Sequence, residues 1–203
     1  NPLNYTSYGE LAKAISGGQY DLRRIGVKSN DVVAYLPPQG GSALSATMFI
    51  AIASQACAAP LSNNMTESEA YEAFKQLKVN HFVVIKGQVS TGILQAFDTY
   101  AIETGSKLHE IQIEEHGTPG EFYFSLLLRT SGTTSKPKVV PLNQKDLVIN
   151  ATILADSIGL TSDDVTYGIM PLDHIGGISG SIIASLSVGA SVCCDGSYSP
   201  DMM

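Results

Sequence analysis

Tryptophan is absent from this 203-residue chain, charged side chains make up only 15% of it, and cysteine occurs three times. Each scarcity excludes something. Little charge beside 44% hydrophobic residues rules out a disordered or fibrous chain and describes a protein with a packed interior. Cys57, Cys193 and Cys194 are odd in number and carry no metal-ligand spacing, so neither a disulfide framework nor a zinc site is expected. They read as small core residues in a reducing compartment, which favours a cytoplasmic location. The formal net charge of -7 argues against a nucleic-acid partner, because there is no overall basic field to neutralise phosphates.

Charge is missing altogether between Asp31 and Glu67. A membrane span is excluded there, since Pro37, Pro38, Gly40, Gly41, Gln55 and Pro60 interrupt the stretch and Ser and Ala dilute it. A buried helix between two buried strands accounts for it better. The N-terminus shows no basic region ahead of an apolar core, and it begins at Asn1, so a trimmed start is expected in place of a secretory signal.

Acidic residues are missing in a second place. From Arg129 to Lys145 there are four cations (Arg129, Lys136, Lys138, Lys145) and no carboxylate, against the sign of the whole chain. Phe124 to Leu128 is a short apolar run broken only by Ser125, which predicts a buried strand. Thr130, Ser131, Thr133, Thr134 and Ser135 follow with five hydroxyls, and Gly132 permits close backbone approach. Hydroxyls, free amides and cations suit phosphate oxygens. Composition alone leaves a second reading open, a surface hairpin whose Ser, Thr and Gly are turn formers.

Along the rest of the chain strands and helices alternate. Helices are predicted over Tyr8–Ile15 (ended by Gly17 and Gly18), Ser42–Gln55, from the Thr66/Glu69 capping box onward, Ile93–Ile102, Asp146–Ser157 and Ile175–Leu186. Strands are predicted over Val32–Leu36, Cys57–Leu61, His81–Ile85, Leu108–Ile113, Val165–Met170 and Ser191–Cys194. Glu114–Glu121 reads as a loop. The implied fold class is α/β, with mostly parallel strands layered between helices on both faces.

The order T-S-G-T-T-S-K-P-K, Thr130 to Lys138, resembles the phosphate-binding signature T-S-G-[ST]-T-G-x-P-K-G of the adenylate-forming (AMP-binding) enzymes, with Ser135 and Val139 in place of two glycines. These include acyl-CoA synthetases, 4-coumarate-CoA ligases and oxalate-CoA ligase-like proteins. M-P-L-D-H-I-G-G, Met170 to Gly177, is similar to the M-P-L-F-H segment of CoA ligases. The spacing is not that of the G-x-x-x-x-G-K-[ST] loop.

The resemblance implies a partial N-terminal AMP-binding domain over residues 1–203, from a ligase that activates a carboxylic acid with ATP. The acyl-AMP so formed passes its acyl group to CoA or to the phosphopantetheine of a carrier protein. It further implies that Thr130, Ser131, Gly132, Thr133, Thr134 and Lys138 hold ATP, that Thr134 supports Mg2+, and that His174 serves catalysis where acyl group, nucleotide and thiol meet. Asp173 stands where the family has an aromatic residue. Ile175 stands where amino-acid-activating relatives have an Asp for the substrate ammonium, which favours an acid without an α-amino group. Later family blocks, including Y-G-x-T-E and the C-terminal lysine, are not in these residues, so this stretch by itself is expected to be a poor enzyme. Two alternatives stay open: a non-catalytic nucleotide-binding or scaffold domain derived from the family, and an unrelated α/β domain lacking a strand-loop-strand at Thr130 to Lys138.

Overall fold

The computed structural model describes residues 5–37, 43–85, 88–111, 125–130 and 137–194. Its centre is a six-stranded sheet in the order β4-β3-β1-β2-β5-β6. β1 (Val32–Tyr35), β2 (Cys57–Pro60), β3 (His81–Ile85), β4 (Lys107–Ile111) and β5 (Ser125–Arg129) pair in parallel. β6 (Val139–Asn143) returns antiparallel to β5, with Leu127 opposite Pro141. The proline, which has no N–H to give, is accommodated because β6 ends the strand order. A parallel pair, β7 (Val165–Tyr167) and β8 (Ser191–Cys193), forms a small second sheet.

Alternation along the buried strands sends neighbouring side chains to opposite faces and separates two cores. Val33, Tyr35, Ala58, Val83, Leu126 and Leu128 pack with α1 (Tyr8–Arg24), α2 (Ala43–Gln55) and α5 (Gln144–Ile158). Ala34, Leu36, Ala59, Leu61, Phe82 and Val84 pack with α3 (Glu67–Leu77) and α4 (Thr91–Thr104). The Thr66/Glu69 capping box is formed: Glu69 N–H donates to Thr66 Oγ1 and the Thr66 N–H donates to Glu69 Oε2 at 2.8 Å.

Four boundaries depart from expectation for identifiable reasons. α1 does not stop at Gly17 and Gly18 but continues to Arg24, since Gly18 lies against α2, where an added Cβ would come within 2.9 Å of the Ala51 Cβ. The glycine is a packing surface. β7 ends at Tyr167, because the Gly168 N–H makes the last bond to β8, on Cys193 O, and Ile169 then turns back onto Tyr167 O. Residues 176–183, expected as ordinary helix, form a π-helix (Gly176–Ile183), and the Ala184 N–H reaches back to Ser179 O as α6 (Ala184–Val188) begins. β6 is a full strand directly ahead of α5. The expected loop Glu114–Glu121 lies outside the described residues, as does Phe124.

No helix among the described residues is long and apolar enough to cross a membrane.

Candidate functional site

β5 delivers Thr130 to the C-terminal edge of the parallel sheet, the edge at which open α/β sheets place ligands. There the Thr130 N–H donates to Lys138 O at 2.9 Å, and the Lys138 N–H donates to Thr130 Oγ1 at 3.0 Å. This reciprocal pair continues the β5–β6 ladder past Arg129 and Val139 and closes the neck of the hydroxyl-rich loop. Thr130 Oγ1 accepts in that pair and keeps its O–H free to donate. The Lys138 side chain is exposed. Ser131, Gly132, Thr133 and Thr134 lie outside the described residues.

Arg129, the first cation of the basic stretch, turns toward α3. Its Nε donates to Gln76 Oε1 on α3 at 3.0 Å, and the Glu69 and Glu72 carboxylates act on the guanidinium. Its half-burial works the other way, pulling its pKa below the usual arginine range. The Arg129 charge is thus engaged by α3 partners.

His174 lies on the segment joining β7 to the π-helix, exposed. Its Nδ1 accepts the Gly176 N–H at 3.1 Å, which assigns the proton of the neutral ring to Nε2 and points that N–H outward. Of the glycines that follow, Gly177 leaves no room for a side chain and Gly176 is tight. A Cβ on Gly177 would stand 2.2 Å from Pro171 O and 2.6 Å from Met170 O, and one on Gly176 would stand 3.3 Å from His174 Nδ1. Gly180 faces open space, with no atom within 4 Å of an added Cβ. Ser179, buried behind it, donates to Asn150 Oδ1 at 2.7 Å and ties the π-helix to α5.

The same segment reaches the central sheet. Tyr35, last residue of β1, is fully buried, and its hydroxyl has no hydrogen-bond partner among the described residues. Burial first, and the Asp173 carboxylate second, push the phenol well above the usual tyrosine range. The half-buried Asp173 thus sits within electrostatic reach of the C-terminal end of β1. β1, β2 and β5 run parallel, so the Asp173–His174 segment and the Thr130–Lys138 neck belong to one edge of the sheet. Among the described residues no hydrogen bond joins His174 to Thr130 or Lys138. Arg129's orientation, Gln76, and Tyr35's unpartnered hydroxyl had no sequence signal, because each depends on which elements the fold makes neighbours.

A layered, mostly parallel sheet whose C-terminal edge carries a pinned hydroxyl-rich loop and a histidine beside paired glycines is the N-terminal architecture of the adenylate-forming fold. The chain belongs to the AMP-binding enzyme family, whose profile it matches over residues 2–202. It is 30% identical over 191 residues to an oxalate–CoA ligase of Arabidopsis thaliana, covering 82% of this chain and 35% of that protein. An acyl-CoA synthetase of Gibberella moniliformis is 24% identical, with 90% of this chain and 38% of that protein covered. Among solved structures, ATP-bound MatB from Rhodopseudomonas palustris superposes with a TM-score of 0.81 at 19% identity over 98% of this chain and 42% of that one. O-succinylbenzoate coenzyme A synthetase from Bacillus subtilis with AMP gives 0.75 at 20% identity, over 98% of this chain and 52% of that one. The chain thus spans about a third to half the length of these relatives.

Proposed function

We propose that this chain is the ATP-gripping part of a ligase that converts a carboxylic acid to an acyl-CoA through an acyl-adenylate. The observation that carries the reading is the neck: the family's T-S-G-T-T-S-K-P-K motif leaves a parallel strand at the ligand-binding edge, and Thr130 and Lys138 pin it shut.

In this reading Thr130, Ser131, Gly132, Thr133 and Thr134 hold the β- and γ-phosphate oxygens through hydroxyls and backbone amides, and Lys138 neutralises their charge. The acid's carboxylate attacks the α-phosphorus and expels pyrophosphate. The thiol of CoA, or of a carrier-bound phosphopantetheine, then attacks the acyl carbon and releases AMP. Fixed donors and cations meet charge that grows on phosphate during such a transfer. Mg2+ would arrive with the nucleotide and meet hard oxygen such as the Thr134 hydroxyl. In this reading His174, whose Nδ1 accepts the Gly176 N–H, steers the carboxylate or the acyl oxygen through its Nε2–H. Ile175 offers nothing to an ammonium, so the acid lacks an α-amino group, as oxalate does in the Arabidopsis relative.

The test is acid-dependent exchange of pyrophosphate into ATP by the full-length protein over aryl, fatty and dicarboxylic acids. Exchange with one acid class is expected, falling roughly 10- to 100-fold in Lys138→Ala. ATP binding without exchange on any acid would overturn the ligase reading in favour of a non-catalytic nucleotide-binding domain, the reading that Ser135, Val139 and Asp173 favour.

A further inference from the structure

The two ends of the phosphate loop are joined by a residue far from either in sequence. Gln76 lies in the last turn of α3. Its Oε1 accepts from Arg129 Nε at 3.0 Å on the outgoing arm, and its Nε2 donates to the Pro137 carbonyl on the returning arm. One side-chain amide therefore spans the neck just outside the Thr130–Lys138 pair. Few side chains can do this. A carboxylate has no donor for Pro137 O at neutral pH, and an ammonium has no acceptor for Arg129, whereas a primary amide carries both on one plane. Glu72 and Glu69 lie one and two turns earlier on the same face of α3 and act on the Arg129 guanidinium, holding it toward the helix.

We propose that Gln76 is a positioning residue for nucleotide binding, bracing both arms of the phosphate loop so that the loop meets the ATP phosphates with its neck already set. The proposal rests on the reading of Thr130 to Lys138 as the ATP grip. A neck braced before binding removes part of the ordering cost that ATP must otherwise offset, so loss of the brace appears in nucleotide affinity. Gln76 touches no reacting atom in this account.

The experiment measures the Kd of Mg2+-ATP by calorimetry on the full-length protein, which reads out even where the acid is unknown, beside the thermal midpoint without nucleotide. Two variants separate hydrogen bonding from bulk: Gln76→Met keeps length and packing but loses both bonds, and Gln76→Ala loses all three. Both are expected to weaken ATP binding by roughly 3- to 10-fold, the range for one or two modest hydrogen bonds, with the midpoint within about 2 °C of wild type. With an exchanging acid, the KM for ATP rises by the same factor while the KM for the acid stays unchanged. An unaltered ATP Kd in Gln76→Met overturns the proposal. So does a weakened Kd accompanied by a matching drop in midpoint, which makes Gln76 a structural support only. Lys138→Ala distinguishes the two levels: weakened ATP in Lys138→Ala with normal binding in Gln76→Met sinks the brace alone, and a wild type that binds no ATP sinks both.

Discussion

The helical layers on the two faces of the central sheet are built from different materials. On one face α3 and α4 close over an aromatic cluster: Phe74 meets Phe82 and Phe97 edge-on at 5.1 Å and stacks on Tyr100 at 5.8 Å. On the other, α5, the π-helix and α6 pack through Gly177, Ile178, Ser179, Ala151, Ala155 and Ser185. That face keeps Ile149, Ile153 and Ile158 exposed on α5. Large rings give the first layer area and edge-to-face contacts, with little backbone approaching backbone. Small residues let the second bring main chain close to main chain, and its segment Pro171–Gly177 carries His174. The proposed site thus borders the layer where main chains approach most closely. The aromatic layer contributes through its rim alone, where Gln76 and the two glutamates of α3 meet the loop neck.

If the small-residue layer depends on close backbone approach, one methyl group should do more damage there than the loss of a whole ring opposite. Gly177→Ala forces its Cβ to within 2.2 Å of the Pro171 carbonyl, a contact that can be relieved only by moving main chain. The expected cost exceeds about 4 kcal/mol, the range reserved for broken backbone geometry, with loss of the cooperative thermal transition or of soluble protein. Gly180→Ala, with open space around its Cβ, is the paired control and should be neutral or slightly stabilising. Equal effects from the two alanines would end the distinction between the layers.

Phe74→Ala probes the other side. It removes a fully buried ring touching three others and should cost about 3–5 kcal/mol, lowering the midpoint by roughly 10 °C. Because the ring is buried in the core and is not part of the Thr130–Lys138 pair, ATP affinity well below the midpoint is expected to stay within 2-fold or so. A large loss of affinity would show that the aromatic layer sets the site as well.

The two layers also differ in how far the sequence revealed them. The α3 capping box was readable because every partner lies within one helical turn, Thr66 and Glu69, and the β3 bounds, His81–Ile85, were read as they stand. The same local reading failed at Gly17 and Gly18, since a glycine pair looks like a helix stop until Ala51 is known to face it. It failed again at the π-helix, whose wide turn is a property of how Gly176–Ile183 lies on α5. The candidate site was named from chemistry written in order, at Thr130 to Lys138 and at His174, and its roles remain those of the proposal. It was illegible where it depends on distant partners, as with Arg129 turned to Gln76 and Asp173 acting on Tyr35. Ser131 to Thr134, outside the described residues, rest on the motif alone.

The smallest expected effect lies on the face opposite the aromatic cluster, at the N-terminal end of the strands. His81, buried at the start of β3, has Nε2 3.1 Å from Asp31 Oδ2 and Nδ1 3.0 Å from His109 Nε2 on β4. Only one proton fits between the two imidazole nitrogens, so the contact survives when one ring supplies a lone pair. Burial, then His81, then Lys107 hold the His109 pKa below the ordinary 6.5. The folded state therefore prefers neutral His109, and the unfolded chain binds the extra proton more readily. This contribution is fully present above about pH 6.5 and is lost as pH falls through the lowered folded value. Unfolding free energy measured from pH 8 down to pH 5 should decline over the lower half of that range, and His109→Gln, which keeps a hydrogen-bonding partner for His81, should flatten the decline. An unchanged slope in the variant would assign the acid sensitivity elsewhere and leave the His81–His109 contact as packing between two rings.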